Sequence, residues 1–215
     1  MDKRLAYYIV DPIIENKFFG LAISLRRMIS KIYSLAFLAN CNITTDYTSY
    51  IYGLKYMDIG KLTIGKNCRI EMISKYNGKK LKPLLKVGQN VIMNDMVHIG
   101  CANYVEIGDN CVFASRIYVS DHNHGSYKGN NQSNILEIIS ERLLDTDKPV
   151  IIGKNVWIGE GVAILPGSQI GDNTIIGANS VVRGEIPANS IAVGNPARVI
   201  KNYNIYTNCW DTIKR

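Results

Sequence analysis

The sequence predicts an all-β protein folded as a parallel β-helix, with an N-terminal helical segment before it and one excursion loop within it. From residue 152 onward the chain repeats a six-residue unit that begins with an aliphatic residue, and related units recur between residues 64 and 118. The fourth place of the unit is often asparagine, and the fifth is small or β-branched. These stretches lack both the 3.6-residue period of an amphipathic helix and the hairpin turns of a sandwich.

The repeated unit has a direct physical explanation. Because successive side chains of a strand point to opposite faces, the first and fifth places both point inward. Three units close one triangular coil, and coils stack at the strand spacing of about 4.8 Å. The opening residues of the regular block are Ile152, Ile158, Ile164, Ile170, Ile176 and Val182. The asparagines at the fourth place, predicted to turn corners with positive φ, are Asn67, Asn90, Asn110, Asn155, Asn173 and Asn179.

The predicted organisation has three parts. Residues 1–57 form an N-terminal helical segment, residues 58–201 form the β-helix domain with its loop at 125–149, and residues 202–215 form a C-terminal tail. Within the first part, residues 12–39 show the apolar periodicity of a helix. We expect this helix to cap the open end of the β-helix or to pack on a neighbouring subunit. The alternative is a basic interfacial helix that associates peripherally with the inner membrane.

Composition and charge narrow the classes of function. The chain has 215 residues, of which 47% are apolar and 20% charged, so wholesale disorder is excluded. The net charge of +7 favours an anionic partner such as a phosphorylated cofactor, an acidic glycan or a lipid surface. Nucleic acid is not an expected partner, because no binding motif accompanies the charge.

The cysteines indicate a reducing compartment. The five cysteines form no C-x-x-C pair, so we expect neither a disulfide framework nor a zinc cluster. Because the first residues also lack the pattern of a cleavable signal, the expected location is the cytoplasm. Cys68 and Cys111 occupy fifth places and are predicted to be small interior residues.

The six-residue register breaks in three places. The first break covers residues 76–86, residues 101–106 add two residues before Ile107, and the longest break covers residues 125–149. A long excursion from a rigid coil is either a functional loop or an unconstrained one. The residues at its root therefore decide which interpretation applies.

A polar cluster lies at that root. The sequence Asp121-His122-Asn123-His124 contains two of the three histidines of the chain. A neutral imidazole can take a proton from a hydroxyl group near neutral pH, and a carboxylate can fix its tautomer. The cluster is therefore a candidate catalytic site. The alternative is a metal site in which His98 joins the two histidines of the cluster.

The hexapeptide units and three further stretches resemble the hexapeptide-repeat acyltransferases. The stretches are residues 121–124, 155–159 and 186–201, and the resemblance covers about residues 59–201. It is greatest to the galactoside and maltose O-acetyltransferases and to O-acetyltransferases of bacterial surface-polysaccharide clusters. The resemblance implies a left-handed β-helix, a homotrimer with active sites between subunits, and acetyl-CoA as donor. It also implies acetylation of a sugar or oligosaccharide hydroxyl in surface-polysaccharide (O-antigen or capsule) biosynthesis.

The resemblance further implies roles in catalysis and acceptor binding. His122 is the implied general base for the acceptor hydroxyl, which attacks the thioester directly. His124 is a second candidate for the base, and Asp121 can orient either ring. Asn94 matches a position that hydrogen-bonds the acceptor, and Trp157 matches one near the acetyl group.

The resemblance also implies a binding site for acetyl-CoA, with no metal. The implied residues are Glu160 and Ala178 for the pantetheine arm and Arg183, Arg198 and Lys201 for the phosphates. Basic side chains suit the charge of the 3′-phosphate and the diphosphate. The sequence departs from many relatives at Arg183, where Arg-Gly-Glu replaces Thr-Lys-Asp and shifts the positive charge one residue earlier.

Other functions on this scaffold stay open at the level of sequence. An antibiotic-inactivating or a serine O-acetyltransferase would use the same donor. A metal-dependent hydratase of the γ carbonic anhydrase type would need His98, His122 and His124 around a metal ion. The intact histidine cluster disfavours a non-catalytic scaffold subunit.

Overall fold

A computed structural model describes residues 17–33, 38 and 41–213 of the chain. The predicted helix at 12–39 thus lies partly outside the described residues, and within them it forms α1 (Lys17–Tyr33). Two 3-10 turns lie at Leu54–Tyr56 and Ile139–Glu141. The strands are β1 Ile43–Thr45, β2 Tyr50–Tyr52, β3 Met57–Ile59, β4 Leu62–Ile64, β5 Arg69–Met72, β6 Lys75–Tyr76, β7 Lys79–Lys80, β8 Leu84–Val87, β9 Val91–Met93, β10 His98–Cys101, β11 Tyr104–Ile107, β12 Val112–Phe113, β13 Tyr118–Ser120, β14 Asn123–His124, β15 Leu144–Asp145, β16 Val150–Ile152, β17 Trp157–Ile158, β18 Ala163–Ile164, β19 Gln169–Ile170, β20 Ile175–Ile176, β21 Val181–Val182, β22 Glu185–Ile186, β23 Ser190–Val193, β24 Arg198–Asn204 and β25 Cys209–Thr212.

Three parallel sheets form the sides of a triangular prism. Sheet A contains β1, β4, β9, β12, β17, β20 and β23; sheet B contains β2, β5, β10, β13, β18 and β21; sheet C contains β3, β8, β11, β16, β19 and β22. Leaving aside the short hairpins β6–β7 and β14–β15 and the antiparallel strands β24 and β25, which join sheet A at its end, consecutive strands belong to sheets A, B and C in turn, so three strands close one coil. This is the architecture of a left-handed β-helix, and the predicted fold class is confirmed.

The hexapeptide pattern determines which residues fill the prism. The six opening residues of the regular block are buried, as predicted. The fifth-place residues of that block are also buried, and they are Val156, Val162, Ser168, Thr174 and Ser180. The six corner asparagines have φ between 53° and 58°, which confirms their predicted role. Cys68 and Cys111 are interior residues, and burial raises the pKa of the Cys111 thiol to about 11.

The β-structure extends beyond the boundaries predicted for the domain. The first coil begins at β1, ahead of residue 58. The hexapeptide pattern does not reveal this strand, because it ends in the buried polar Thr45 instead of an aliphatic–glycine pair. At the other end β24 crosses residue 201, pairs antiparallel with β23 and is followed by β25. The rings of Tyr203 and Trp210 meet edge to face at 5.2 Å across this hairpin. The C-terminal segment therefore continues sheet A.

Helix α1 packs against the first coil. The Arg26 guanidinium lies 3.0 Å from the Asp46 carboxylate, which also accepts a hydrogen bond from the Ser30 hydroxyl. Burial alone would raise the pKa of Asp46, but the hydrogen bonds outweigh it and lower the pKa. The opposite face of the helix exposes Leu25, Met28, Ile29 and Ile32. Within the described residues, no helix combines the length and apolar character needed to cross a bilayer.

In the coils from β5 to β16 three insertions interrupt the six-residue repeat, and each lies where the chain passes from sheet B to sheet C. They therefore share one corner of the prism. Residues 73–83 contain the hairpin β6–β7, residues 102–103 form a short insertion, and residues 121–149 form the long excursion. Between these points the strands pair without a gap: β5 with β10 and β10 with β13 in sheet B, and β8 with β11 and β11 with β16 in sheet C. The three insertions therefore emerge from three successive coils.

Candidate active site

A pocket lies on the outward face of sheet B, at the corner where the insertions emerge. Its volume is about 210 Å³. Side chains of β5, β10 and β13 contribute its floor, and the long excursion and the β6–β7 hairpin contribute its walls. The lining residues include Arg69, Glu71, His98, Tyr118, His122 and His124. Both histidines of the predicted cluster therefore line a single pocket.

His122 is fixed by the residue that precedes it. Its Nδ1 lies 2.9 Å from Oδ1 of Asp121, whose side chain is fully buried. Because an ionised carboxylate only accepts hydrogen bonds, Nδ1 holds the proton and Nε2 is the accepting nitrogen. A Cβ at Gly100 would lie 3.2 Å from Cε1 of His122, so glycine leaves room for the ring. The ring is thus positioned to take a proton through Nε2.

Asp121 stays ionised although it is buried. The main-chain N–H of Ala102 donates to Oδ1 at 2.8 Å, and that of Asn103 donates to Oδ2 at 2.7 Å. Burial would raise the pKa of Asp121, but the hydrogen bonds from the imidazole and from these two N–H groups lower it below 3.8. The two-residue insertion between β10 and β11 therefore provides the donors that hold the orienting carboxylate.

His124 is held by the insertion that contains the β6–β7 hairpin. Its Nδ1 lies 3.0 Å from the hydroxyl oxygen of Tyr76, which donates to the carbonyl of Ser140 at 3.0 Å. Since the phenol has one hydrogen, its donation to Ser140 leaves the Nδ1–H of His124 as the donor in the other bond. Asn77 also donates to the Ser140 carbonyl, at 2.8 Å. The β6–β7 hairpin thereby connects the long excursion to the pocket wall.

Charged and aromatic groups form the pocket floor. The Arg69 guanidinium lies 2.8 Å from the Glu71 carboxylate, and Nε2 of His98 lies 3.8 Å from the same carboxylate. Burial lowers the pKa of His98, and the positive charge of Arg69 lowers it further, so this ring is neutral near pH 7. The rings of His98 and Tyr118 meet edge to face at 5.3 Å. Among the described residues, no three His, Cys, Asp or Glu side chains are grouped so as to hold a metal ion.

Four of the predicted site residues lie away from this pocket. Asn94, Glu160 and Ala178 follow strands of sheet A, at the corner between sheets A and B. Trp157 lies on the outward face of sheet A and is 54% exposed. Sheet B therefore separates these residues from the edge at which His122 lies, and a single chain does not bring the two groups together.

The three predicted basic residues are exposed or partly exposed, and they occupy different places. Arg183 follows β21 at the same corner as His122, two coils further along sheet B. Arg198 begins β24, opposite Val193, and Lys201 lies further along that strand, opposite Ile191. The C-terminal coils therefore present basic side chains at more than one edge of the prism.

The sequence interpretation missed several residues of the pocket. The sequence motifs do not mark four of the lining residues as site residues, namely Arg69, Glu71, Tyr76 and Tyr118. They indicate His98 only as a possible metal ligand. A signal for Tyr76 was present, because the register break at 76–86 falls between the same two sheets as the long excursion. The strand pairing places the outward residues of β5 and β13 beside those of β10. Counting hexapeptides does not predict this pairing where the coils are interrupted.

Comparison with known proteins identifies the repeat. Residues 149–184 match the family model described as bacterial transferase hexapeptide (six repeats). The chain is 34% identical over 196 residues to "Putative lipopolysaccharide biosynthesis O-acetyl transferase WbbJ" of Escherichia coli K12, covering 91% of this chain and 96% of that protein. It is 35% identical over 144 residues to the galactoside O-acetyltransferase of the same organism, covering 66% of this chain and 64% of that protein.

Solved structures give a concordant result. The maltose O-acetyltransferase of Clostridium difficile 630 aligns with a TM-score of 0.55 at 31% identity, covering 81% of this chain and 87% of that one. A galactoside acetyltransferase in complex with coenzyme A aligns with a TM-score of 0.50 at 25% identity, covering 84% of this chain and 82% of that one. The similarity therefore extends over most of the chain in both sequence and backbone.

Proposed function

The chain belongs to the hexapeptide-repeat acetyltransferases, and from this premise we propose that it transfers an acetyl group from acetyl-CoA to a sugar hydroxyl. The observation that supports this most directly is the imidazole of His122, which a buried carboxylate fixes at the edge of the pocket. The similarity to sugar O-acetyltransferases supports the acceptor class. The similarity to the Escherichia coli lipopolysaccharide protein supports a place in surface-polysaccharide biosynthesis.

In the proposed mechanism His122 is the general base. Its Nε2 takes the proton of the acceptor hydroxyl while that oxygen attacks the thioester carbonyl. The carbon–sulfur bond then breaks, and the imidazolium returns the proton to the leaving sulfur, so that an ester and a free thiol are formed. The Asp121 carboxylate holds Nδ1–H and stabilises the transient positive charge on the ring. In the described part of the chain the pocket lining contains no Ser or Cys side chain, which favours direct attack over an acyl-enzyme.

The proposed assembly is a homotrimer in which neighbouring copies complete each site. An apolar column runs along the outward face of sheet A, where adjacent strands place its members side by side. The column consists of Ile92, Val112, Trp157, Ile175 and Ile191. A continuous column of exposed and half-buried apolar side chains of this kind is typical of an association site. A cyclic arrangement would bring Asn94 and Trp157 of one copy toward His122 of the next.

The proposed donor site lies between two copies of the chain and runs along the C-terminal coils, because sheet B separates Glu160 and Ala178 from His122 of the same chain. Glu160 and Ala178 stack on neighbouring coils, with the N–H of Asn179 donating to the Glu160 carbonyl at 2.7 Å. Arg183, Arg198 and Lys201 provide positive charge for the phosphates of coenzyme A. In this proposal the regular coils bind the donor and the interrupted coils bind the acceptor.

A thiol-release assay tests the proposed function. The purified protein would be incubated with acetyl-CoA and a panel of sugars, nucleotide sugars and oligosaccharides, and the products would be identified by mass spectrometry. We expect acceptor-dependent release of coenzyme A and a mass increase of one acetyl group on at least one sugar. Release that no sugar stimulates, or acetylation of an amine instead of a hydroxyl, would contradict the proposal.

A further inference from the structure

The outward face of sheet B continues beyond the pocket as a surface of aromatic and charged side chains. In the strand register Tyr50 lies beside Arg69, Arg69 beside His98, and His98 beside Tyr118. Three strand spacings separate Tyr118 from Tyr50, a distance of about 14 Å. The surface formed by Tyr50, Tyr52, Arg69 and Glu71 is called the aromatic surface below.

We propose that the aromatic surface binds further units of a saccharide chain, one unit of which occupies the pocket beside His122. The acceptor is then an oligosaccharide or polysaccharide, not a single sugar. This inference rests on the proposed function, because it assigns the substrate class of the same site.

The size of the pocket supports a longer acceptor. Its volume of about 210 Å³ is below the roughly 300–1,000 Å³ of pockets that enclose small-molecule ligands. The pocket of a single chain is therefore too small to enclose several units of a saccharide chain. Its floor continues toward β2, because Arg69 and Glu71, which line the pocket, are the register partners of Tyr50 and Tyr52.

The two tyrosines of β2 present a stacked pair of aromatic rings to solvent. Tyr50 and Tyr52 are i and i+2 on one strand and point to the same face. Their rings are parallel within 3°, with centroids 6.3 Å apart, and each residue is more than half exposed. The C–H face of a sugar ring packs well on such rings, while the phenol hydroxyls can hydrogen-bond its hydroxyl groups.

The charged pair between the tyrosines and the pocket complements the polar edge of a sugar. The Arg69 side chain is 58% exposed, and the Glu71 side chain is 21% exposed. The guanidinium offers several donors in a plane, and the carboxylate offers acceptors beside it. Aromatic and charged side chains therefore lie side by side over the roughly 14 Å from Tyr50 to Tyr118. This arrangement suits a saccharide chain that runs across the strands of sheet B.

The test compares acceptors of increasing length in the intact protein. The probes are glucose, maltose and maltotriose, and in parallel galactose, galactobiose and galactotriose, each with saturating acetyl-CoA. We expect the wild-type kcat/KM to rise with chain length in at least one series. The double variant Tyr50→Ala/Tyr52→Ala should lower kcat/KM for the trisaccharide about tenfold, with the monosaccharide value and the KM for acetyl-CoA unchanged. The single variant Tyr52→Ala should show a smaller loss in the same direction.

Tyr206→Ala is the matched control, because Tyr206 is 90% exposed on the distant β24–β25 hairpin and should behave as wild type. Light scattering would report the oligomeric state of every variant. The inference is overturned if wild type shows no preference for length, if the double variant loses activity equally on all acceptors, or if it dissociates into monomers. Absence of transfer to every sugar, including those of the wider panel above, would instead contradict the proposed function.

Discussion

The regular coils from β16 to β22 and the interrupted coils from β5 to β16 are built on the same prism but differ at one corner. In the regular coils short turns join sheets B and C, and small residues such as Ser168 and Ser180 fill the corners. In the interrupted coils the chain leaves that corner three times, at residues 73–83, 102–103 and 121–149. The pocket and its histidines lie only beside the interruptions. The comparison indicates that the repeat provides rigidity, whereas departures from the repeat provide chemistry.

The largest effect is expected from removing the proposed base. His122→Ala should lower kcat about 100-fold or more, because no other group would take the proton of the acceptor hydroxyl. Thiol release with the preferred sugar measures the loss, and light scattering should show an unchanged oligomer. His124→Ala is the paired variant: an equal or greater loss there, with an active His122→Ala protein, would transfer the role to His124.

Replacing the orienting carboxylate should have the next largest effect. Asp121→Asn should lower kcat about tenfold or more, because the amide no longer holds Nδ1–H with an anionic acceptor. It should also lower the free energy of unfolding at pH 7 by about 1–3 kcal/mol, because the buried main-chain donors lose a charged partner.

The pH dependence of that stability difference follows from the lowered pKa of Asp121. A carboxyl whose pKa is lower in the folded state stabilises the fold above its unfolded pKa, near 3.8, and loses that contribution as the pH falls through the folded value. Denaturant titrations at pH 7 and pH 3 should therefore show a difference between wild type and Asp121→Asn that shrinks in acid. A constant difference would show that folding does not lower the pKa of Asp121.

A core substitution in the regular coils should separate stability from activity. Ile170→Ala removes a buried side chain and should cost about 2–5 kcal/mol of unfolding free energy. The Michaelis constants of the protein that remains folded should not change, since Ile170 is distant from the pocket. A changed KM for the acceptor would mean that the two regions are more strongly coupled than the comparison suggests.

Removing one cation of the proposed donor site should give a moderate effect. Arg198→Ala should raise the KM for acetyl-CoA about threefold to tenfold by removing a charge near the phosphates. The KM for the acceptor should stay the same. Lys61→Ala, in the N-terminal coils, is the control, and an equal change in that variant would indicate a general charge effect.

The smallest effect is expected from the contact between the two insertions. Tyr76→Phe removes the hydroxyl that joins His124 to Ser140 and should lower kcat/KM for the acceptor about twofold to fivefold. Tyr104→Phe, on sheet C, removes a hydroxyl bonded to Glu106 and should leave activity unchanged. Identical kinetics for both variants would remove the hairpin from the function of the site.

The sequence predicted the prism well because its determinants are local. Aliphatic residues every sixth place and asparagine at the corners determine strand, turn and inward face without information from distant residues. The prediction also identified the Asp121–His124 cluster, since the sequence alone shows that these residues directly precede the long break in the repeat. It placed the first coil too late because Thr45 fills an inward place that is aliphatic in most other coils.

The contacts between insertions could not be predicted in the same way. A break in the register states that the chain leaves the coil, but not where the departing segment packs. The bond between Tyr76 and His124 joins residues 48 positions apart, and the donation from Asn103 to Asp121 joins residues 18 positions apart. Both depend on the vertical stacking of coils, which only the three-dimensional structure provides.

Concentrating every insertion at one corner has a consequence for how such proteins diversify. Because β13 and β16 remain paired to their neighbours and β14 pairs with β15, residues 125–143 can change in length or composition without opening the sheets or removing the histidines. Related proteins can thus vary this part of the pocket wall, and with it the acceptor, while the coils fold in the same way.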